Sequence, residues 1–357
     1  MILHKTQLRN TFDLGAEKPV SQWNMDNSWV PFSAMEDYPD FALPSFYKDV
    51  HGFTRFGGLM ASGTVGNQAF TLPLSHVPTK TVIHYSVSGG GSSGAASRFD
   101  IRNVSGAVGQ VKPNSGSNTF YSLEGAYVPT FSEGLQFPIL TGGWSNFGVS
   151  TSSEHMPTSY YKDSFGFVHL FGLIRNGSLG SGNPMFTLPE GFRPEAGEIF
   201  TVMSNGAFGE IRVESDGKVY AQTGSTSWFS LAGCYFMAST SRYASRWKDL
   251  SLQNSWANYG SIWQTAQYFI DPAGLLHIRG RIKSGTTTFG TEFASLPSEA
   301  GSPRGRRMMR CSRNGTHGAF DFDPEGVEGW FVRSMSATST SISGTNHRLD
   351  WTIPSDG

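Results

Sequence analysis

The sequence predicts an all-β protein made of three tandem antiparallel β-sandwich, jelly-roll-like modules of about 110 residues each. Three observations carry this. The first is composition. Of 357 residues, 43 are Gly and 46 Ser, only 15% are charged and 13% are aromatic. That mixture excludes a coiled coil or long-helix protein and excludes the charged, aromatic-poor kind of disorder. The second is texture: short runs rich in β-branched and aromatic residues, such as Phe165 to Ile174, alternate with Gly-containing turns. No stretch keeps apolar spacings of three and four between capping residues, so helix content should be low.

The third observation is an internal repeat, an ordered set of landmarks met three times. A tryptophan opens each unit, at Trp29, Trp144 and Trp256. A D-x-x-G turn follows, at Asp49–Gly52, Asp163–Gly166 and Asp271–Gly274, leading into an apolar strand that ends in Gly58, Gly172 or Gly280. Next come a small-residue turn (Ser62-Gly63, Asn176-Gly177, Ser284-Gly285) and a Leu-Pro pair (Leu72-Pro73, Leu188-Pro189, Leu296-Pro297). A second strand pair turns at Ser105-Gly106, Asp216-Gly217 and Glu325-Gly326, and S-L/I-x-G closes each unit at Gly125, Gly233 and Gly344. The tryptophans lie 115 and 112 residues apart and the Asp turns 114 and 108, so the order is no coincidence.

Each landmark has a physical role. The Asp and Gly turns supply the positive-φ positions of tight hairpins. Each proline, unable to donate to a ladder, should end a strand at a sheet rim. The opening Trp and the closing pairs Phe120-Tyr121 and Trp228-Phe229 should fill the cores. Units at 21–130, 138–238 and 247–357 leave short connectors near 130–138 and 239–247, which implies beads in contact. Residues 1–20 have no counterpart in the repeat and read as an arm that adds a strand or docks to a neighbour.

Charge and motifs exclude several functions. Lys+Arg minus Asp+Glu is 27 − 28 = −1, so no field draws the chain to nucleic acid or an anionic membrane. The N-terminus lacks the apolar stretch of a secretory signal, and the most apolar run is about half a bilayer span, so no membrane insertion is expected. Cys234 and Cys311 are non-equivalent and read as reduced, buried thiols. No metal or nucleotide motif appears, so no cofactor is expected. His169 and His277 are equivalent, but Arg55 stands at the third position, against a shared metal site. The acidic clusters Glu36, Asp37, Asp40 and Asp321, Asp323, Glu325 read as solvated loops rather than a glycosidase pair, so no catalytic residue is assigned.

Ligand-binding candidates are few. Arg304, Arg306, Arg307, Arg310 and Arg313 form an Arg-rich segment that could grip an anionic polymer bidentately, or serve only as an intersubunit or solvent-exposed loop. Tyr259 and Trp263 could stack on sugars or belong to the core.

The middle unit also carries a resemblance. GGWSNFG, then SYYKDSFGFVHLFGLIRNG, FTLPEGFRP, SNG and WFSLAG, is similar to the repeat of minor tail proteins of tailed bacteriophages infecting actinobacteria. Residues 138–238 match throughout. The first unit has Trp29-Val30-Pro31-Phe32 in place of the W-x-N-aromatic phrase, and the third has Thr-Ser-Thr-Ser before Ile342. The resemblance implies a non-enzymatic virion component, a tail protein or appendage, made in the host cytoplasm and contacting host cell-wall polysaccharide. It implies other phage tail proteins and further copies of this chain, as a homotrimer, for partners, and carries over no catalytic residue. The alternatives are an architectural capsid-decorating or spacer protein and, third, a glycan depolymerase tailspike.

Overall fold

The computed structural model describes residues 18–20, 24–35, 40–89, 94–104, 108–148, 154–286, 288, 291–296, 305–313, 315–323, 330–334, 339–341 and 345–348. Residues 1–17 of the expected arm, Glu36, Asp37, Glu325 and Arg304 lie outside them. Among the described residues there is no α-helix, only short 3-10 turns, and all the strands pair antiparallel.

The chain repeats one strand order three times. In the middle stretch a seven-stranded sheet runs Ser145–Asn146, Leu173–Arg175, Phe229–Ser230, Glu198–Ser204, Ala207–Val213, Lys218–Thr223, Phe186–Thr187. The first stretch follows the same path through Val30–Pro31, Leu59–Ala61, Tyr121–Ser122, Val82–Ser88, Ala95–Val104, Val108–Ser115 and Phe70–Leu72. The last uses Ala257–Asn258, Arg281–Lys283, Ser339–Ser341, Arg307–Arg313, Thr316–Asp323, Trp330–Ser334 and Glu292–Leu296, with Ser251–Leu252 added at the edge. The strands that precede Pro73 and Pro189 lie at sheet edges, where a missing donor costs nothing.

A smaller sheet backs each large one. It is built on Ser45–Lys48 with Phe53–Gly57, Ser159–Lys162 with Phe167–Phe171, and Gln267–Ile270 with Leu275–Arg279. Lys18–Pro19 pairs with the first of these hairpins, as Lys248–Asp249 does with the last and Gln136 does by a single bridge with Tyr160. The end of the N-terminal segment therefore does have counterparts in the repeat, contrary to the reading from sequence, which missed them because the three segments share no motif.

The landmarks hold the frame as partners. A Cβ on Gly63, Gly177 or Gly285 would lie 2.0 to 2.1 Å from the ring of Trp29, Trp144 or Trp256. The opening Trp and the small turn thus recur together because one lies on the other. Gly58, Gly172 and Gly280, all at positive φ, let the chain near residues 43, 157 and 265 pass at a distance no side chain would permit. Of the closing aromatic pairs only Tyr121 and Phe229 are fully buried; Phe120 and Trp228 are half-exposed against smaller clusters.

The repeats pool their apolar surface instead of sealing it separately. The middle and last stretches each have a private core. The largest cluster, however, joins Phe53 and Tyr127 of the first repeat, Phe167, Phe171 and Tyr235 of the second, and Phe269 and Leu275 of the third. A three- or four-stranded sheet has two faces, and its own large sheet can cover one. The other face of each small sheet, with fully buried rings such as Phe53 and Phe171 worth about 1.5–3 kcal/mol each, is covered by its neighbours.

Candidate functional site at the joints between repeats

The repeats meet in a fixed way. Three single-residue parallel bridges, Phe41 with Arg306, Thr81 with His155 and Gly197 with Trp263, join one repeat to the next. Each has the same two backbone hydrogen bonds: Arg306 N to Asp40 O and Ala42 N to Arg306 O; Thr81 N to Glu154 O and Met156 N to Thr81 O; Gly197 N to Ile262 O and Gln264 N to Gly197 O, all 2.7 to 3.2 Å. The closing serine adds a second tie, Ser122 Oγ donating to Met308 O (2.7 Å) and Ser230 Oγ to Ile83 O (2.6 Å). Strands Val82–Ser88, Glu198–Ser204 and Arg307–Arg313 consequently pack against one another in the middle.

The Arg-rich segment is at this centre, not in a loop. Residues from Arg307 form a strand. Arg307 is buried and gives Nη1 to Glu124 Oε1 of the first repeat at 2.8 Å. Arg310 donates to Tyr85 O at 3.2 Å and has no carboxylate partner among the described residues; burial lowers its pKa. Its guanidinium lies against the closing glycines, and a Cβ on Gly233 would be 2.1 Å from it. Arg306, partly buried, pairs with Asp321. Asp321 and Asp323 are buried on a strand, so they are not a solvated loop, and the anion-gripping reading of Arg307 is corrected by its burial; Arg310 is half-buried, with its guanidinium turned onto Gly233.

A polar network recurs beneath the joints. The Asp of each D-x-x-G turn accepts two backbone N–H groups on Oδ1: Asp49 from His51 and Phe53, Asp163 from Phe165 and Phe167, Asp271 from Ala273 and Leu275, at 2.8 to 3.0 Å. Its Oδ2 receives the side chain six residues on: Arg55 Nε at 2.5 Å, His169 Nε2 and His277 Nε2 at 3.0 Å. The histidines' Nδ1 atoms face tyrosine hydroxyls of the preceding repeat, His169 that of Tyr127 (3.1 Å) and His277 that of Tyr235 (3.3 Å). Burial pushes Asp163 up to about 6 and His169 well below its ordinary value. Burial alone would lower Arg55, but Asp49, with Tyr47 and Tyr127, outweighs it and the pKa stands raised. At neutral pH His169 is an uncharged bridge, donating to Asp163 and accepting from Tyr127. With side chains 1–2% exposed, the Asp163–His169 pair lies in the interior, where it ties the turn to the preceding repeat.

Tyr259 and Trp263 are brought together, half-exposed, by a residue not singled out in the sequence. The Arg281 guanidinium lies 4.3 Å from the Tyr259 ring centre and 4.6 Å from that of Trp263. Lys283 is 5.1 Å from Tyr259, and Arg212 of the middle repeat is 6.0 Å from Trp263 and 4.9 Å from Tyr220. This cation–aromatic ladder is worth about 0.5–1 kcal/mol per exposed contact. It sets cations over both rings, and Trp263 also packs on the backbone of Gly197. The signal that could have found it is Arg281-Ile282-Lys283, where alternation puts both cations on one strand face.

Cys234 and Cys311 are free and buried. No helix among the described residues is long and apolar enough to cross a membrane. No family of known proteins, no curated protein and no solved structure matches this chain.

Proposed function

We propose that this chain is a non-enzymatic structural component of a phage virion, a minor tail protein or tail appendage that contacts host cell-surface glycan. The observation that carries the reading is the middle repeat's phrase, GGWSNFG through FTLPEGFRP to WFSLAG. Its Trp144, Leu188, Phe229 and Leu231 are all buried, so the fold constrains the phrase. The division into modules 21–130, 138–238 and 247–357 belongs to the same proposal and draws support from the repeated strand order. Antibody labelling of intact particles tests it: label on the tail supports the reading, label absent from the particle overturns it.

In this reading glycan contact falls to the face around Tyr259, Trp263, Arg281 and Lys283, because Arg307 is buried and Arg310 is turned onto Gly233. Tyr259→Ala with Lys283→Ala should reduce phage adsorption. The architectural alternative, a spacer or decorating protein, is favoured by one observation: every described ligand candidate already has a structural partner in a neighbouring strand or repeat. Unchanged adsorption by the double variant selects it. Host polysaccharide incubated with the protein should keep its chain length under both readings.

A further inference from the structure

We infer that the threefold assembly is completed within one polypeptide, so that a single copy of this chain is a closed ring and stands where a homotrimer of one-repeat subunits would otherwise stand. The inference is independent of the virion reading.

The argument rests on the direction of the joints. Each repeat offers a neighbour a short segment before its D-x-x-G hairpin, and the first and second also offer the serine of the closing turn. Each also offers one thing to be gripped, the start of its central strand. The segment at residues 40–42 of the first repeat grips Arg306 of the third; residues 154–156 of the second grip Thr81 of the first; residues 262–264 of the third grip Gly197 of the second. The serines follow the same direction, Ser122 of the first repeat onto Met308 of the third and Ser230 of the second onto Ile83 of the first. The order is first to third, second to first, third to second, a head-to-tail interface that returns to its start after three steps. Such an interface either closes into a ring or propagates as a filament. Here it closes, and the closing joint is between residues as distant as Phe41 and Arg306.

Closure leaves no copy of this interface unpaired. Every gripping segment and every central strand is occupied from within the chain, and the centre is filled by Tyr85 and Met203, with Arg310 reaching the closing glycine of the middle repeat. A second copy would have to insert by breaking backbone pairs already made in cis, where the effective concentration of the neighbouring repeat is far above that of a free chain.

Two measurements test this on the full chain. Size-exclusion chromatography with light scattering at micromolar concentration should give the mass of one chain, 38.9 kDa; three times that mass overturns the inference. A protease site placed in the exposed connector at Ser132–Gly134 then opens the covalent link between the first and second repeats. After cleavage the two fragments should stay together at the same native mass and separate only in denaturant, because the joints of the first repeat to the third and of the second to the first are non-covalent. Fragments that part under native conditions overturn the inference even if the uncut chain is a monomer.

Discussion

The joint between the first and third repeats contains a buried Arg–Glu ion pair that crosses repeats, and removing it stepwise tests how the ring is held. Glu124 and Arg307 have side chains only 2% and 5% exposed, with Nη1 and Oε1 2.8 Å apart. At an effective dielectric near 20 the gross attraction at that distance is about 6 kcal/mol, most of it offset by desolvation of both groups. The other repeats show what can replace it. Ala232 stands where Glu124 does in the closing turn, and Val82 stands where Arg307 does at the head of the central strand; both belong to the shared apolar core. Arg307→Val alone leaves a buried carboxylate without its cation and should cost about 3–5 kcal/mol. Glu124→Ala alone leaves the guanidinium and should cost a similar amount. The double variant should cost less than the two single losses together, since no opposite charge is stranded, while the Gly58 N–H that has lost Glu124 as acceptor costs about 1–3 kcal/mol. Urea unfolding followed by tryptophan fluorescence measures all four proteins. If the two single losses add in the double variant to within about 0.5 kcal/mol, the pair is not coupled and the joint does not work as described.

Three further outcomes follow from the same geometry. Burial, with Arg310 adding to it, lowers the His84 pKa to about 3, so its folded-state pKa is below the unfolded value near 6.5. Its contribution is then complete above pH 6.5 and lost as pH falls, by about 2 kcal/mol at pH 5. His169 and His51 act in the same sense, while Asp163, held up to about 6, partly opposes them between its unfolded value of 3.8 and 6. His84→Phe, the residue at the matching place Phe200, should lose less stability between pH 7 and 5 than the parent chain; equal losses in urea titrations at both pH values would falsify the assignment. Gly177→Ala should cost about 1–3 kcal/mol and change the near-UV signal of Trp144, whereas Gly182→Ala, with open space around it, should cost little; calorimetry compares them. Arg310→Met should raise the urea midpoint, because a buried guanidinium without a carboxylate gives up its desolvation penalty; a lower midpoint refutes that.

How much was legible from sequence depended on whether a feature was local. Trp144 with Asn176-Gly177, the Asp163 turn and the Leu188-Pro189 edge are local pairs of strand and turn, and their spacing announces them. The joints are not local. Arg307 meets a carboxylate 183 residues away, so its row of positive charge reads like a solvated loop until the ring is closed. Asp321 and Asp323 misled for the same reason: an acidic run on a strand is indistinguishable in composition from one in a loop. Tyr259 and Trp263 could be read from sequence as sugar-stacking rings or as core, and the cations stacked on them come from a strand that follows and from another repeat. The serine of S-L/I-x-G was recognised as punctuation, and its hydroxyl's partner across the joint could not be inferred from one sequence.

Fusing three repeats into one chain changes what selection can do at the joints. In a ring of identical subunits any substitution at the interface occurs three times, so a buried charge needs three partners at once. In this chain the joint of the first repeat to the third is ionic, through Glu124 and Arg307, while the matching residues Ala232 and Val82 of the joint of the second repeat to the first are apolar. At the start of the third central strand Arg307 is basic, whereas the equivalent Glu198 of the second is acidic and buried. The same freedom explains the turn network, where Arg55 takes the place held by His169 and His277 without loss of the Asp contact. Unlike joints also fix the order of repeats: exchanging the first and second units would set Ala232 against Arg307 and leave a cation buried without its carboxylate. Specificity of order comes from the charges, and closure comes from the backbone pairs that all three joints share.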